Sequence, residues 1–138
     1  MSAILLATLL VACIGRGPRD GFPPAVELSA PDSFDVEMFT TKGPITVRVH
    51  RAWSPRGADR FYTMVRSQYF DSVAFHRTIN KFVAQFGIHG DTAVMRAWQG
   101  RSIPDDSVRA KNERGTLSFA RGGPNTRNTQ LFFNLVGN

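Results

Sequence analysis

The chain is decided by two stretches. The first is Phe75-His76-Arg77, followed closely by Phe82-Val83-Ala84-Gln85. The second is Leu117-Ser118-Phe119-Ala120-Arg121-Gly122-Gly123-Pro124-Asn125-Thr126, which runs on to Gln130-Leu131-Phe132-Phe133. Both mix β-formers with isolated polar side chains. In the last run, strand alternation places Gln130, Phe132 and Asn134 on one face and Leu131, Phe133 and Leu135 on the other. The second set suits a core. The first, part aromatic and part amide, suits a groove. Val83 and Gln85 share a face in the same way.

Working outward from these runs, Phe34, Val36 and Met38 alternate with Asp35 and Glu37, and Ile45, Val47 and Val49 alternate with Thr46, Arg48 and His50. Both segments read as half-buried strands. Thr41-Lys42-Gly43-Pro44 joins them as a hairpin turn. Ser54-Pro55 supplies an N-cap and a first-turn proline. Ala58, Phe61, Met64 and Val65 then follow at helical spacing, predicting one amphipathic helix that plugs an end of the fold. Val73 to Ile79, Phe82 to Gly87, Thr116 to Ala120 and Thr129 to Leu135 are the further strands. Thr92 to Gly115 shows little regularity and reads as a long loop. The expected fold class is mostly β, an antiparallel barrel with one capping helix.

The chain has 138 residues, 42% of them apolar and 20% charged. That is room for one folded domain. Its formal charge of +6 comes from scattered basic residues rather than a run, so no nucleic-acid partner is expected. With a single cysteine, Cys13, an intrachain disulfide is excluded. His50, His76 and His89 are far apart in sequence and form no metal-ligand pattern, so no metal or cofactor is expected.

Ile4 to Ala12 is almost wholly apolar. The run is too short to span a bilayer and has the length of a secretory apolar segment. It ends in Leu10-Val11-Ala12-Cys13, which resembles a bacterial lipobox, with Cys13 as the lipidated residue. Residues 1–13 are therefore expected to be a signal peptide, and the product an exported, periplasmic or membrane-anchored lipoprotein. Its contact with the membrane would be the lipid anchor alone. Residues 14–33 carry many Gly and Pro and no sustained period, so they read as a flexible linker to a domain over 34–138.

The order and spacing of the two deciding stretches resemble the signature of the cyclophilin family of peptidyl-prolyl cis/trans isomerases. The resemblance implies a chemistry without nucleophile or metal. Rotation about an amide costs about 18–20 kcal/mol because the C–N bond has double-bond character. A catalyst need only bind the twisted amide better than either planar form. The family's pattern assigns Arg77 as the donor to the twisted prolyl amide. An arginine fork never loses its charge and can reach both the carbonyl oxygen and the nitrogen. Phe82, Val83 and Phe132 would line the proline pocket. Gln85 and Gln130 would orient Arg77 or bond the peptide. Ala120 and Arg121 would present backbone groups to an extended substrate, and Gly122 to Thr126 would close a secondary pocket.

The implied partners are proline-containing polypeptides and, by family resemblance, a cyclosporin-type ligand. The resemblance runs from Phe34 to Asn138 and lacks the family's last two strands and second helix, so an unpaired sheet edge and a pocket short of one wall are expected. Two other readings stay open on the sequence: a binding module for proline peptides with little turnover, and an inactive truncated product.

Overall fold

The structure is a computed structural model that describes residues 20–138. Two strands open the fold, β1 (Ser33–Thr40) and β2 (Gly43–His50). They pair antiparallel with Phe34 opposite Val49, Val36 opposite Val47 and Met38 opposite Ile45. The inward face is the one that alternation predicted, and the residues between are exposed.

A short 3-10 turn at Arg51–Trp53 leads into helix α1 (Pro55–Arg66), which buries Ala58, Phe61 and Met64. Ser54 occupies the N-cap position but does not cap through its side chain. Its hydroxyl instead donates to Asp106 Oδ2 at 2.6 Å. The Asp106 carboxylate takes over the cap from fifty residues away, accepting the Gly57 N–H at 3.0 Å and the Arg56 N–H at 3.1 Å. A carboxylate at a helix N-terminus satisfies orphan donors and complements the helix dipole.

The remaining strands are β3 (Arg77–Ile79), β4 (Val83–Phe86), β5 (Leu117–Phe119) and β6 (Leu131–Asn134), each shorter than the sequence suggested. They form one antiparallel sheet in the order β3-β4-β6-β5. The two sheets do not join into a closed barrel. Between them lies a hollow of about 1070 Å³, walled by Ile45, Val47 and Val49 on one side and Leu117, Phe119 and Phe133 on the other.

Two expectations are corrected. Within the stretch read as a long loop stands a second helix, α2 (Thr92–Trp98), whose N-cap Asp91 accepts the Ala93 N–H at 2.7 Å. Val94 and Trp98, four residues apart, point inward and are almost wholly buried. So the fold has two helices, not one. The described part of the proposed linker, from Asp20 to Ser33, is docked rather than free. Leu28 N donates to Thr63 Oγ1, Ala30 N donates to Asp59 Oδ1, and the Gly21 carbonyl accepts from the Trp98 indole at 2.7 Å. Glu27 pairs with Arg60, a buried side chain that also donates to the Arg101 and Asn128 carbonyls. A Gly- and Pro-rich segment with no period of its own has been ordered by hydrogen bonds to α1, which no local pattern encodes. Cys13 and the apolar run before it lie outside the described residues.

The core is aromatic. Phe61, Tyr69, Phe86, Trp98 and Leu131 cluster with Met64, Val94 and Val36. Tyr69 stands edge-on to Phe70 and Trp98, and Phe70 to Phe86. Edge-to-face pairs of this kind match the positive ring edge to the negative ring face. The Tyr69 hydroxyl donates to the Gly87 carbonyl at 2.8 Å, so its burial leaves no unpaired donor. Gly87 has φ +112, and a Cβ there would lie 2.2 Å from the Thr129 carbonyl. This close approach brings the end of β4 against the residues just before β6.

Candidate active site

Pairing across the four-stranded sheet sets the site. Arg77 on β3 lies opposite Gln85 on β4, Gln85 opposite Phe132 on β6, and Phe132 opposite Ser118 on β5. Directly paired residues point to the same face. Four elements separated by more than fifty residues of chain thus place Arg77, Gln85, Phe132 and Ser118 in one row.

The row is tied by side chains. Arg77 Nη1 donates to Gln85 Oε1 at 3.1 Å, and Gln85 Nε2 donates to Gln130 Oε1 at 2.9 Å. Gln85 therefore uses its amide oxygen and one amide hydrogen to fix a guanidinium that is otherwise exposed. Among the described residues only one guanidinium nitrogen is engaged, so the other N–H groups of Arg77 remain able to donate. Phe82, at the β3–β4 corner, is 40% exposed. Val83 is 3% exposed.

The β5–β6 loop forms the far bank. Ala120 donates its N–H to the Gln130 carbonyl at 2.9 Å, which holds the loop against β6. The Ala120 carbonyl has no partner among the described residues and stays open to an extended peptide. The Arg121 side chain turns away to Asp105, donating from Nη1 to Oδ2 at 2.7 Å. Beside this bank is a second hollow of about 690 Å³, reached from Gln85, Ala120 and Gln130 and bounded by Thr126 and Gln99. The larger hollow between the sheets also takes in Ser118, Arg121 and Phe132 in its lining.

Of the residues named from the sequence, strand pairing puts Arg77, Gln85 and Phe132 in one row, Gln130 bonds to Gln85 and Ala120 to Gln130, while Phe82 stands at the β3–β4 corner, Val83 opposite Asn134 and Arg121 against Asp105. Asn134 is the exception on the expected groove face. It is buried, and its amide donates to Thr116 Oγ1 at 3.0 Å and Ser118 Oγ at 3.1 Å. Its work is to hold β5 to β6.

Sequence reasoning missed Asp105, Asp106 and Arg127. Arg127 is buried, donating from Nη2 to Asp106 Oδ2 at 3.1 Å and from Nη1 to Ser54 Oγ at 3.2 Å. Burial alone pushes the Asp106 carboxyl up. The hydrogen bonds from Ser54, Gly57, Arg56 and Arg127 outweigh it and hold the group below the ordinary carboxylate range. The Asn125 N–H and the nearby Arg121 and Arg127 charges likewise lower Asp105. The one available signal was a pair of aspartates after a proline in a segment otherwise read as part of a long loop.

The chain as a whole is similar to known proteins. The family profile described as cyclophilin type peptidyl-prolyl cis-trans isomerase/CLD matches residues 34–138. This chain belongs to the cyclophilin family. A Staphylococcus haemolyticus protein named for peptidyl-prolyl cis-trans isomerase activity is 36% identical over 99 residues, covering 70% of this chain and 50% of its own. A Staphylococcus aureus protein of the same name is 35% identical with the same coverage. The chain thus spans about half the length of the curated relatives it matches. Among solved structures, the crystal structure of a Cryptosporidium parvum cyclophilin type peptidyl-prolyl cis-trans isomerase is similar at a TM-score of 0.61 and 27% identity. That match covers 72% of this cyclophilin and 65% of the solved chain. The mostly β architecture with its two sheets is a cyclophilin fold, present here with the barrel unclosed.

Proposed function

We propose that the groove of this cyclophilin binds proline-containing segments of polypeptides and accelerates rotation about the X–Pro bond. The observation that carries the reading is the relay Arg77–Gln85–Gln130, with hydrogen bonds of 3.1 and 2.9 Å, set in one row with Phe132. At an X–Pro bond the isomers are close in energy but exchange in tens to hundreds of seconds. Twisting the amide frees a lone pair on the prolyl nitrogen. A guanidinium held in place donates to it at the moment it appears, while the proline ring rests between Phe82 and Phe132. The donor is oriented before the reaction, so little reorganisation is needed at the transition state.

The test is isomerisation of a short Ala-Pro peptide by the full chain and by Arg77→Ala. Loss of a preorganised donor is expected to lower the rate about 100- to 1000-fold, with peptide affinity little changed. Equal rates in parent and variant sink the assignment. A parent that binds the peptide without turning it over would favour a binding module. A cyclosporin-type ligand is expected to compete for the same groove, because it too would need the apolar walls and the open Ala120 carbonyl.

The work would be done outside the cytoplasm. The apolar run Ile4 to Ala12 followed by Cys13 supports export and lipidation, and the substrates would then be exported chains as they fold. Mass spectrometry of the native N-terminus decides this: an acylated Cys13 is expected, and an intact Met1 refutes it.

A further inference from the structure

The β5–β6 loop would be hard to keep in place by itself. Asn125 sits at φ +56, a left-handed conformation that side chains adopt at a cost. Gly122 and Gly123 precede it. Between Gly122 and Thr126, the bonds within the loop among the described residues are the Gly122 N–H to Thr126 Oγ1 at 3.0 Å and the Thr126 hydroxyl to the Gly123 carbonyl at 2.8 Å. The loop is held from outside, by Asp105. Asp105 N donates to Asn125 Oδ1 at 2.7 Å, and Asn125 N donates back to Asp105 Oδ2 at 3.1 Å. The same carboxylate oxygen takes Arg121 Nη1 at 2.7 Å. The other oxygen faces Arg127 Nε at 3.3 Å, an ion pair without hydrogen-bond geometry. Next door, Asp106 is anchored on the N-terminus of α1 and on Arg127. The chain Ile103–Asp106 is thus a strap: Asp106 grips the helix, and its neighbour Asp105 grips the loop at Arg121 and Asn125.

We propose that Asp105 is a positioning residue for substrate binding, whose negative charge holds Arg121 and Asn125 so that the Ala120–Gly122 backbone faces the groove. The inference rests on the proposed peptide-binding groove. It assigns Arg121 a role through its side chain as well as through its backbone. The guanidinium is the handle by which the far bank is held, and its charge is satisfied before any substrate arrives. The row around Arg77 is not touched by the strap, so chemistry and positioning are separable.

The experiment compares Asp105→Ala, Asp105→Asn and Arg121→Ala with the parent in the full chain. Amide hydrogen exchange is read at Gly122 and Asn125, and at Gln85 as a control. KM and kcat are measured with the Ala-Pro peptide. Asp105→Ala is expected to speed exchange at Gly122 and Asn125 about tenfold and raise KM about tenfold, with kcat within about twofold. Asp105→Asn keeps an acceptor for Asn125 but no charge for Arg121, so it should follow Asp105→Ala. Arg121→Ala, an exposed change that spares the core, should move both readouts the same way by less.

Unchanged exchange at 122–125 in Asp105→Ala overturns the proposal. So does a lowered melting temperature with KM unmoved, the mark of a plain structural strut, and so does parent-like behaviour of Asp105→Asn. If the parent shows no turnover, the isomerase reading fails. Exchange together with peptide dissociation constants then decides the strap.

Discussion

The two halves of this cyclophilin are built to different standards. The half that carries the groove is the more completely buried. β4, β6, α1, α2 and Tyr69 supply almost all of the fully buried side chains, among them Met64, Tyr69, Trp98 and Leu131. Buried polar groups such as Asn134 and Arg60 are bonded several times over. The hairpin half contributes Val36 alone to the buried core, and its other inward residues, Phe34, Met38, Val47 and Val49, are half-buried. The hollow of about 1070 Å³ between the sheets accounts for the difference. Hydrophobic stabilisation scales with the area taken from water, and a side chain facing a void also forgoes dispersion contacts. A site can therefore be fully assembled on one sheet while the other sheet remains loosely covered.

The sharpest way to break this contrast is truncation on each side. Trp98→Ala removes a buried indole, its hydrogen bond to Gly21 and its contact with the Arg60 guanidinium. It should cost about 3–5 kcal/mol in denaturant unfolding. Val49→Ala on the hairpin, already half-exposed, should cost about 1 kcal/mol. Equal losses would mean that the halves are equally well packed in solution and that the contrast is wrong.

Acid gives a smaller effect with a definite sign. Asp59, Asp105 and Asp106 all have lowered pKa values, Asp59 chiefly through its hydrogen bond from Arg51. A carboxylate lowered on folding contributes stability above its unfolded pKa of about 3.9, and that stability is lost as pH falls through the folded value. The melting temperature should be level from neutral pH to about pH 5 and drop below about pH 4. Asp106→Asn should lower the neutral-pH melting temperature and flatten that acid limb. An undiminished acid limb in the variant would remove Asp106 from the account.

The smallest effect is expected on the outer face of the hairpin. Arg48 makes two hydrogen bonds to Asp35, at 2.8 and 2.7 Å, but both side chains are largely in solvent. Water and salt screen such a pair, and holding two long side chains costs entropy. Arg48→Ala should leave the melting curve almost unchanged. A loss comparable with that of Trp98→Ala would show that the hairpin depends on its polar face.

Much of the fold was legible. The alternation in Phe34–Met38 and Ile45–Val49 foretold the pairing, and Pro55 marked the start of α1. The groove row was legible because period-2 alternation puts Gln130 and Phe132 on one face whatever lies opposite. Helix α2 was missed although its signals were present, an Asp91 cap followed by Val94, Met95 and Trp98 at helical spacing. The run is only seven residues, and an isolated helix of that length is not stable without tertiary contacts.

Periodicity and residue type thus set the strands, the main helix and the faces of β4 and β6, because these follow from local geometry repeated along the chain. Three features came only with the folded chain: the docking of residues 20–33 on α1, the cap lent to that helix by Asp106, and the grip of Asp105 on the β5–β6 loop. Each joins polar groups separated by some twenty to fifty positions. A carboxylate finds its donors by direction and distance in space, and neither is written in the spacing of residues along the sequence.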